Sequence, residues 1–403
     1  MLKKIIKIFC AFILISIVSI ALITRFTGIT IKAPDGRFLG YASEWLFLEY
    51  PNVPVSQDGP YILNDTDTSY AIYVNGDGKT TPNKLLRKEV TNEFEVIVDN
   101  DAGTQFTVSL RKDYPRSELT IPSPKKLFAI SDLEGEFDTM VHLLKANSII
   151  DDALNWNYGS GHLVLIGDMV DRGTNVVPLL WLIYKLEEEA KLAGGNIHFV
   201  LGNHERYLLD GRTKSIATKY YGTFRTTDMS QRQLWSEKSE LGRWLRSKPV
   251  LLKIGTTLFV HAGISPKVLA MNPTLQSIDN EAENNFVTDN VIRRTIEGSA
   301  IHDAKGVIFY RGLAQDRTAA DLGKKASIAH VNQVLEKFKV HRIAIGHSLA
   351  VNVSQDYEGK VIRVDVNHSG GVSEGVFIEN NILWRADDKG NRFALEKVKN
   401  IVE

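Results

Sequence analysis

Five short apolar runs recur after residue 125 and limit the folds that this chain can adopt. Each run is continuous rather than alternating, which is typical of strands that are covered on both faces. Apolar residues at helical spacing separate the runs, for example Val177, Leu180 and Trp181. Strands that alternate with helices predict an α/β body. The runs are Leu127–Ile130, Leu163–Ile166, Ile197–Leu201, Leu258–Val260 and Ile343–Ile345.

Polar side chains follow each of these five runs. In open α/β sheets, ligands bind outside the carboxyl ends of the strands, so we expect these side chains at one rim. Carboxylate, amide and imidazole groups suit divalent metal ions, and a single ion would leave too many acids uncompensated. The pattern therefore predicts two metal ions that together can clamp a phosphoryl group. The side chains are Asp132 and Glu134 in SDLEG, Asp168, Asp171 and Arg172 in GDMVDRG, Asn203 and His204 in GNHE, His261 in HAG, and His347 in GHS.

In this order, the five motifs resemble those of the calcineurin-like metallophosphoesterase superfamily. The DRG and GNHE forms resemble its phosphoprotein phosphatase branch, in a bacterial-like variant. The resemblance covers roughly Lys125 to Ser369 and implies a four-layer α/β/β/α sandwich. GDMVDRG followed by GNHE is a specific signal, whereas HAG or GHS alone would be a weak one.

The resemblance also implies which residues hold the metal ions. Asp168 would bridge the two ions, and Asp132 would join it on the first. Asn203, His261 and His347 would complete the second site.

Glu134 departs from the family pattern, which usually has a metal-bound histidine at this position. A glutamate still offers an oxygen and adds about one negative charge, so we expect Glu134 to bind the first ion and to harden the site. Manganese or magnesium is then favoured, while iron or zinc stays possible. His368, which follows a further apolar stretch, is a weaker candidate for the same rim.

The catalytic roles follow from the same resemblance. His204 would be the general acid that protonates the leaving oxygen, and Asp171 would orient it. Arg172 would grip the phosphate, and Asn203 would also contact the substrate. Arg311, in an FYRG element, would be a second phosphate clamp, because a guanidinium binds phosphate oxygens in pairs.

Each of these residues also has a purely structural interpretation. Asp171 could cap the helix that follows it, and Arg172 could pair with Asp171. Glu134 could point into water, and Arg311 could have no role at the site. His261, like His347, could be a buried core histidine. The order of all five motifs favours the functional interpretation.

Residues 1–25 predict a membrane anchor or a signal segment. Lys3, Lys4 and Lys7 precede an uncharged apolar run at residues 8–23. The small-residue cleavage pattern is poor, which favours an uncleaved anchor over a cleaved signal. The positive charges lie before the run, so the catalytic body is expected outside the cytoplasm. The alternative is secretion after cleavage.

Residues 26–120 predict a small β-rich module with a linker, and residues 26–56 are expected to be irregular. Strands are predicted at Tyr70–Val74, Phe94–Val98 and Phe106–Leu110, where short apolar stretches are bounded by turn residues. Residues 125–403 form the predicted metallophosphoesterase domain, with a helical cap inserted at about 206–250.

Composition narrows the function classes. The chain has 48 basic and 48 acidic residues and a formal net charge of zero, which gives no support to nucleic-acid binding. Its single cysteine, Cys10, excludes an intrachain disulfide.

The expected activity is hydrolysis of phosphate monoesters by a binuclear metal site, with a metal-bound hydroxide as the nucleophile. The expected substrate is a phosphoprotein or a small phosphate ester. The alternatives are hydrolysis of dinucleoside polyphosphates or other nucleotides, and a catalytically inactive binding module tethered to a membrane.

Overall fold

The computed structural model describes residues 31–32, 37–42, 45–65, 68–286, 299–314 and 325–398. The predicted anchor or signal segment at residues 1–25 lies outside this part of the chain. Within the described ranges, no helix is both long enough and apolar enough to cross a bilayer.

The first eight described strands form three small antiparallel sheets. Strands β1 (Ile31–Lys32), β2 (Phe38–Ala42) and β3 (Trp45–Glu49) make the first sheet. Strands β4 (Gln57–Asn64), β5 (Ser69–Asn75) and β6 (Lys84–Val90) make the second. Strands β7 (Glu93–Ile97) and β8 (Gln105–Ser109) form a hairpin.

The three strands predicted for this module are present as β5, β7 and β8, each within one residue of its expected bounds. The expectation that residues 26–56 are irregular is wrong where β1 to β3 lie, and it is confirmed for residues 50–56, which form no strand or helix. The sequence prediction also missed β4 and β6. A Gly59-Pro60 pair coincides with a register shift in β4, and β6 is almost wholly exposed and carries little apolar signal.

The first large sheet has the order β12-β11-β10-β18-β19-β20. Its parallel part contains β10 (Lys126–Ile130), β11 (His162–Leu165) and β12 (Asn196–Phe199). Its antiparallel part contains β18 (Glu374–Glu379), β19 (Ile382–Asp387) and β20 (Arg392–Ala394). The first three predicted runs therefore lie side by side in one sheet.

The second large sheet has the order β16-β17-β15-β14-β13-β9. It contains β9 (Thr120–Ile121), β13 (Leu251–Ile254), β14 (Thr257–Val260), β15 (Arg342–Ile345), β16 (Ser354–Asp356) and β17 (Val361–Arg363). Strands β14, β15 and β17 are parallel. The last two predicted runs are β14 and β15, so the five runs are divided between two mixed sheets.

Nine α-helices are described. They are α1 (Phe137–Ala146), α2 (Val176–Leu192), α3 (Asn203–Asp210), α4 (Lys219–Thr227), α5 (Gln231–Leu234), α6 (Glu240–Arg246), α7 (Pro266–Ala270), α8 (Leu275–Phe286) and α9 (Ile328–Phe338). Helices α4 to α6 lie in the segment that the sequence predicted as a helical insertion.

Alternate residues of the large sheets bury their side chains on opposite faces. On β10, Leu127 and Ala129 join a core that contains residues of both sheets, such as Phe259. Phe128 and Ile130 belong to a second core, which includes the buried faces of the helices. Burial of a side chain of this size contributes about 1.5–3 kcal/mol. Both faces are covered, which explains why the runs are continuous in the sequence.

The N-terminal strands share the helix-side core and are packed directly on α2. The ring of Phe94 on β7 lies 4.6 Å from that of Trp181, centroid to centroid. The indole Nε1 of Trp181 donates to the carbonyl of Pro60 on β4 at 2.8 Å. The module is thus joined to the helix that begins just after the DRG motif.

Candidate metal centre and active site

The polar residues after the strands meet on loops with an unusual backbone. Six of them have positive φ angles, between 49° and 72°, a conformation that costs energy for residues other than glycine. Such residues persist only where the surroundings hold them firmly and are concentrated at functional sites. They are Asp132, Glu134, Asp168, Asp171, Arg172 and His347.

Glu205 holds two of these loops together. Its buried carboxylate accepts backbone N–H groups from Gly202 at 2.7 Å, Asp168 at 2.9 Å and Met169 at 2.7 Å. Sequence reasoning assigned no role to this residue. The signal was available, because a glutamate at the third position of a helix commonly bonds back to the backbone N–H before the helix.

Three predicted metal ligands from both large sheets converge on one point. Asp168, His261 and His347 each present a ligand atom, and these atoms lie within 4.8 Å of one another. His261 Nε2 is 3.1 Å from Asp168 Oδ2 and 3.2 Å from Asn203 Oδ1. His261 Nδ1 donates to the carbonyl of Ile166 at 2.7 Å, which directs Nε2 towards the site.

His347 is oriented in the same way and joins the two sheets. Its Nε2 donates to the carbonyl of Phe309 at 3.1 Å, which leaves Nδ1 free to bind a metal. Its backbone N–H donates to Asp132 Oδ2 at 3.0 Å. Asp132, which follows a strand of the first sheet, is therefore tied to a loop of the second.

The donor set at this rim fits metal cations. Burial raises the pKa of Asp132 to about 6. Burial also favours the neutral form of Asp168, but His261 and His204 outweigh it and lower the pKa of that carboxyl. In the described part of the chain, only these imidazoles form ion pairs with Asp168. Buried carboxylates without a lysine or arginine partner suit a divalent ion.

His204 lies beside the Asp168–His261–His347 group, and Asp171 holds its ring in place. Its Nδ1 is 2.7 Å from Asp171 Oδ2, and its Nε2 is 3.8 Å from Asp168 Oδ2. Burial alone would lower the pKa of His204, but the carboxylates of Asp168 and Asp171 outweigh it and raise the pKa to about 9. A protonated imidazole next to a metal-ligand cluster can donate a proton to a leaving group.

Glu134 and Arg172 form a pair at the outer edge of the site. Both carboxylate oxygens of Glu134 lie 2.7 Å from Arg172 Nη1. The Glu134 side chain is 15% exposed and that of Arg172 is 61% exposed. Burial raises the pKa of Glu134 to about 7 despite the guanidinium. Arg172 therefore pairs with Glu134 rather than with Asp171, and the metal-binding role of Glu134 stays a prediction.

Arg311 reaches the opposite side of the site. Its guanidinium donates to the carbonyl of His347 and lies 3.4 Å from Ser348 Oγ. The predicted second phosphate clamp is therefore next to a predicted metal ligand.

Two residues that sequence reasoning did not propose also belong to this region. Asp365 is buried, and burial together with the charges of Asp132 and Glu134 raises its pKa well above the ordinary value. It follows β17, so the rule that selected the other strand ends could have found it. Tyr207, on α3, packs its ring against His204 with centroids 5.3 Å apart.

His368 does not join the metal-ligand group. It is buried in a short 3-10 segment, where Nδ1 is 3.3 Å from Ser373 Oγ. Burial lowers its pKa to about 4. Its Nε2 is buried and has no hydrogen-bond partner, and its candidacy for the rim stays a prediction.

Fold and site together define a metal-binding phosphoesterase. The calcineurin-like phosphoesterase family model matches residues 125–350, so the chain belongs to this family. Its similarity to a Shewanella-like protein phosphatase and to a protein-tyrosine phosphatase supports the phosphoprotein phosphatase-like branch. The chain is accordingly a hydrolase.

Several known proteins resemble the chain in more detail. It is 31% identical to Shewanella-like protein phosphatase 2 of Arabidopsis thaliana over 169 residues, which cover 41% of this chain and 40% of that protein. It is 27% identical to an uncharacterised protein of Schizosaccharomyces pombe over 255 residues, 62% of this chain and 74% of the relative.

A solved structure extends the likeness beyond the catalytic domain. The cold-active protein-tyrosine phosphatase of a psychrophilic Shewanella species superposes with a TM-score of 0.74 at 29% identity. The match covers 85% of this chain and 100% of that chain. Residues 125–403 make up less of the chain than the 85% that the match covers. The similarity therefore reaches into the N-terminal strands.

Proposed function

We propose that this chain hydrolyses phosphate monoesters, with His204 as the general acid. The observation that carries the proposal is the His204–Asp171 pair, 2.7 Å apart, beside the convergent Asp168, His261 and His347. A proton donor next to a cation site is the combination that cleavage of a phosphate ester requires. The presence of this pair also argues against an inactive binding module.

We infer that two divalent ions occupy the site, held by Asp132 and Asp168 on one side and by Asn203, His261 and His347 on the other. When bound, such ions activate water and neutralise charge on the phosphoryl group. Glu134 would add a further carboxylate to the first ion. This oxygen-rich set favours manganese or magnesium over iron or zinc.

Arg172 and Arg311 can bind those phosphate oxygens of the substrate whose charge the metal ions do not neutralise. The exposed guanidinium of Arg172 lies on one side of the site, and that of Arg311 lies near His347. A guanidinium can bind two phosphate oxygens at once. Arg172 would share its donors between Glu134 and the phosphate, so its orientation is set before substrate binds.

The surroundings of His204 favour a substrate with a ring in its leaving group. Tyr207 is partly exposed beside His204, and its ring centroid lies 6.1 Å from that of Phe309. Such rings stack well on aromatic groups. The Shewanella relative is a protein-tyrosine phosphatase, which supports a phosphorylated protein as substrate, with phosphotyrosine as the preferred residue.

A panel of substrates tests this proposal on the full-length chain with manganese or magnesium. It should contain phosphotyrosine and phosphoserine peptides, a small phosphate ester and a dinucleoside tetraphosphate. We expect the phosphotyrosine peptide to give the highest kcat/KM. Exclusive cleavage of the dinucleoside tetraphosphate would instead support the nucleotide hydrolase, and failure on every substrate would support the inactive module.

We further propose that residues 1–25 anchor the chain and place the catalytic body outside the cytoplasm. The three lysines before the apolar run support this orientation. Reporter fusions after residue 125 test it, and activity of a cytoplasm-specific reporter alone would contradict it. Loss of the first residues from the mature chain would support secretion instead.

A further inference from the structure

A small cavity lies next to Asp171, which forms part of its lining. It has room for about one water molecule. Its lining is almost entirely apolar or aromatic, apart from Asp171, Gln231 and the hydroxyls of Tyr61 and Tyr220. One wall, Tyr61, belongs to strand β4 of the N-terminal module.

Asp171 has an unused oxygen in these surroundings. Its Oδ2 contacts His204 Nδ1 at 2.7 Å, whereas its Oδ1 is buried and has no hydrogen-bond partner. A buried carboxylate oxygen that lacks a partner is costly. A donor reachable through the cavity would remove that cost and fix the plane of the carboxylate.

Tyr220 lines the same cavity as Asp171 and carries a hydroxyl that can donate into it. Its hydroxyl oxygen accepts the backbone N–H of Val176 at 3.1 Å, so its own proton is available for a second bond. Val176 is the first residue of α2 and follows the DRG loop closely. One hydroxyl is therefore close to both the loop that carries Asp171 and the cavity next to it.

Strand β4 is hydrogen-bonded to the helix that carries Tyr220. Tyr61 donates to Asp58 Oδ2 at 2.9 Å, and Thr223 on α4 donates to the same oxygen at 2.6 Å. Thr223 lies three residues after Tyr220 on that helix. Asp58 is 2% exposed, and its hydrogen bonds tie β4 to the helix that carries Tyr220.

We propose that Tyr220 is a positioning residue that donates towards Asp171 Oδ1 through this cavity, and that Asp58 and Tyr61 hold Tyr220 in place. The N-terminal strands thereby take part in orienting the general acid. The inference rests on the proposed role of His204. It gives the module a function that its sequence did not reveal, and it agrees with the extension of the Shewanella likeness into these strands.

Two matched pairs of conservative variants test the proposal. Tyr220→Phe removes the hydroxyl that is proposed to donate towards Asp171, while Tyr221→Phe removes a neighbouring hydroxyl that donates to the carbonyl of Thr213 at 2.9 Å. Tyr61→Phe is compared with Tyr73→Phe, whose hydroxyl donates to the carbonyl of Glu95 at 2.8 Å. Each variant removes only the hydroxyl of a buried tyrosine. The Tyr221 hydroxyl also accepts from Lys32 Nζ at 2.6 Å, so Tyr220→Phe and Tyr221→Phe each remove a hydroxyl that can both accept and donate.

The kinetic readout is the dependence of kcat on the leaving group. We expect Tyr220→Phe to lower kcat for an alkyl phosphate by about 3- to 10-fold, as for one lost hydrogen bond. The loss should be smaller for nitrophenyl phosphate, and KM and metal content should not change. Tyr61→Phe should show the same pattern more weakly, and the two control variants should not show it.

A second readout does not depend on activity. In histidine-labelled full-length protein, the Nδ1 proton of His204, assigned with a His204→Gln variant, should shift in Tyr220→Phe and not in Tyr221→Phe. Equal spectra for these two variants would overturn the inference, even if wild-type protein hydrolyses no phosphate ester. If wild type is active but Tyr220→Phe behaves like Tyr221→Phe in both readouts, the inference fails and the proposed function stands.

Discussion

The inner and outer edges of the site are built differently. At the inner edge, His261 and His347 each have their second ring nitrogen bound to a backbone carbonyl, and Glu205 fixes the loop that carries Asp168. At the outer edge, the side chains of Glu134 and Arg172 are paired with each other, and Arg172 is largely exposed. Backbone hydrogen bonds therefore preorganise the inner edge, whereas on the proposed function a cation and the substrate would each engage one member of the Glu134–Arg172 pair. Substitutions at the inner edge should accordingly be the most damaging.

The largest effect is expected for Asp168→Asn at the centre of the inner edge. The variant loses a carboxylate that faces His204 and His261, so metal binding and activity should be lost together. Metal content by mass spectrometry and kcat on the same samples check this. An Asp168→Asn protein with full metal content and no activity would contradict the bridging role.

The second-largest loss of activity is expected for His204→Ala. The variant should keep its metal, while kcat falls roughly 10²–10⁴-fold because the general acid is lost. The loss should be smaller for nitrophenyl phosphate, whose leaving group needs no proton. An equal loss on good and poor leaving groups would falsify the acid role.

Substitution of Glu134 should have a smaller effect. It tests whether the Glu134 carboxylate binds a metal ion or only Arg172. As a metal ligand, Glu134→Ala should weaken binding at the first metal position, and Glu134→His should shift the metal preference towards iron or zinc. Arg172→Ala is the matched control, because it breaks the same ion pair without removing a carboxylate. Equal and full metal content in both alanine variants would mean that Glu134 acts only through Arg172.

The phosphate clamps should give changes of substrate affinity and rate rather than loss of metal. Arg172→Ala and Arg311→Ala should each raise KM or lower kcat, and replacement by lysine should rescue poorly because the planar fork is lost. Steady-state kinetics at fixed metal concentration measure this. A fully active Arg311→Ala would remove that residue from the site.

The smallest effect is a pH dependence of stability in the metal-free protein. The pKa values of His204 and His261 are raised from 6.5 to about 9 and about 10, since nearby carboxylates outweigh burial. Their stabilising contribution is complete below pH 6.5 and is lost as the pH rises towards 9–10. His198, whose pKa burial lowers to about 3, is neutral throughout this upper range.

We therefore expect the urea midpoint of metal-free protein to fall between about pH 7 and pH 9. Excess manganese should reduce this fall of the urea midpoint with pH, because a bound cation replaces the protons on His204 and His261. A midpoint that rises across the range would show that the histidines are not held by the carboxylates.

The contrast between the edges also explains what the sequence could predict. The inner edge follows from strand ends and ordered motifs, because Asp168, His261 and His347 each come shortly after a strand and their ligand atoms meet within 4.8 Å. The pairing of Glu134 with Arg172 depends on two long side chains 38 residues apart, and no local pattern encodes it. Strand β6 was missed because exposed strands carry no apolar alternation. The bond of Glu205 to Gly202 follows a local capping pattern that the sequence does contain, whereas its bonds to Asp168 and Met169 join a different loop and no local pattern encodes them.

The hydrogen bond from His347 to Asp132 has a consequence for the lifetime of the folded state. It joins loops that belong to different sheets, and the contact between Asp168 and His261 does the same. Cations bound between these residues would link the two sheets. Opening of the sandwich would then require their release, so bound ions should slow spontaneous unfolding and protect the central strands from proteolysis and amide exchange.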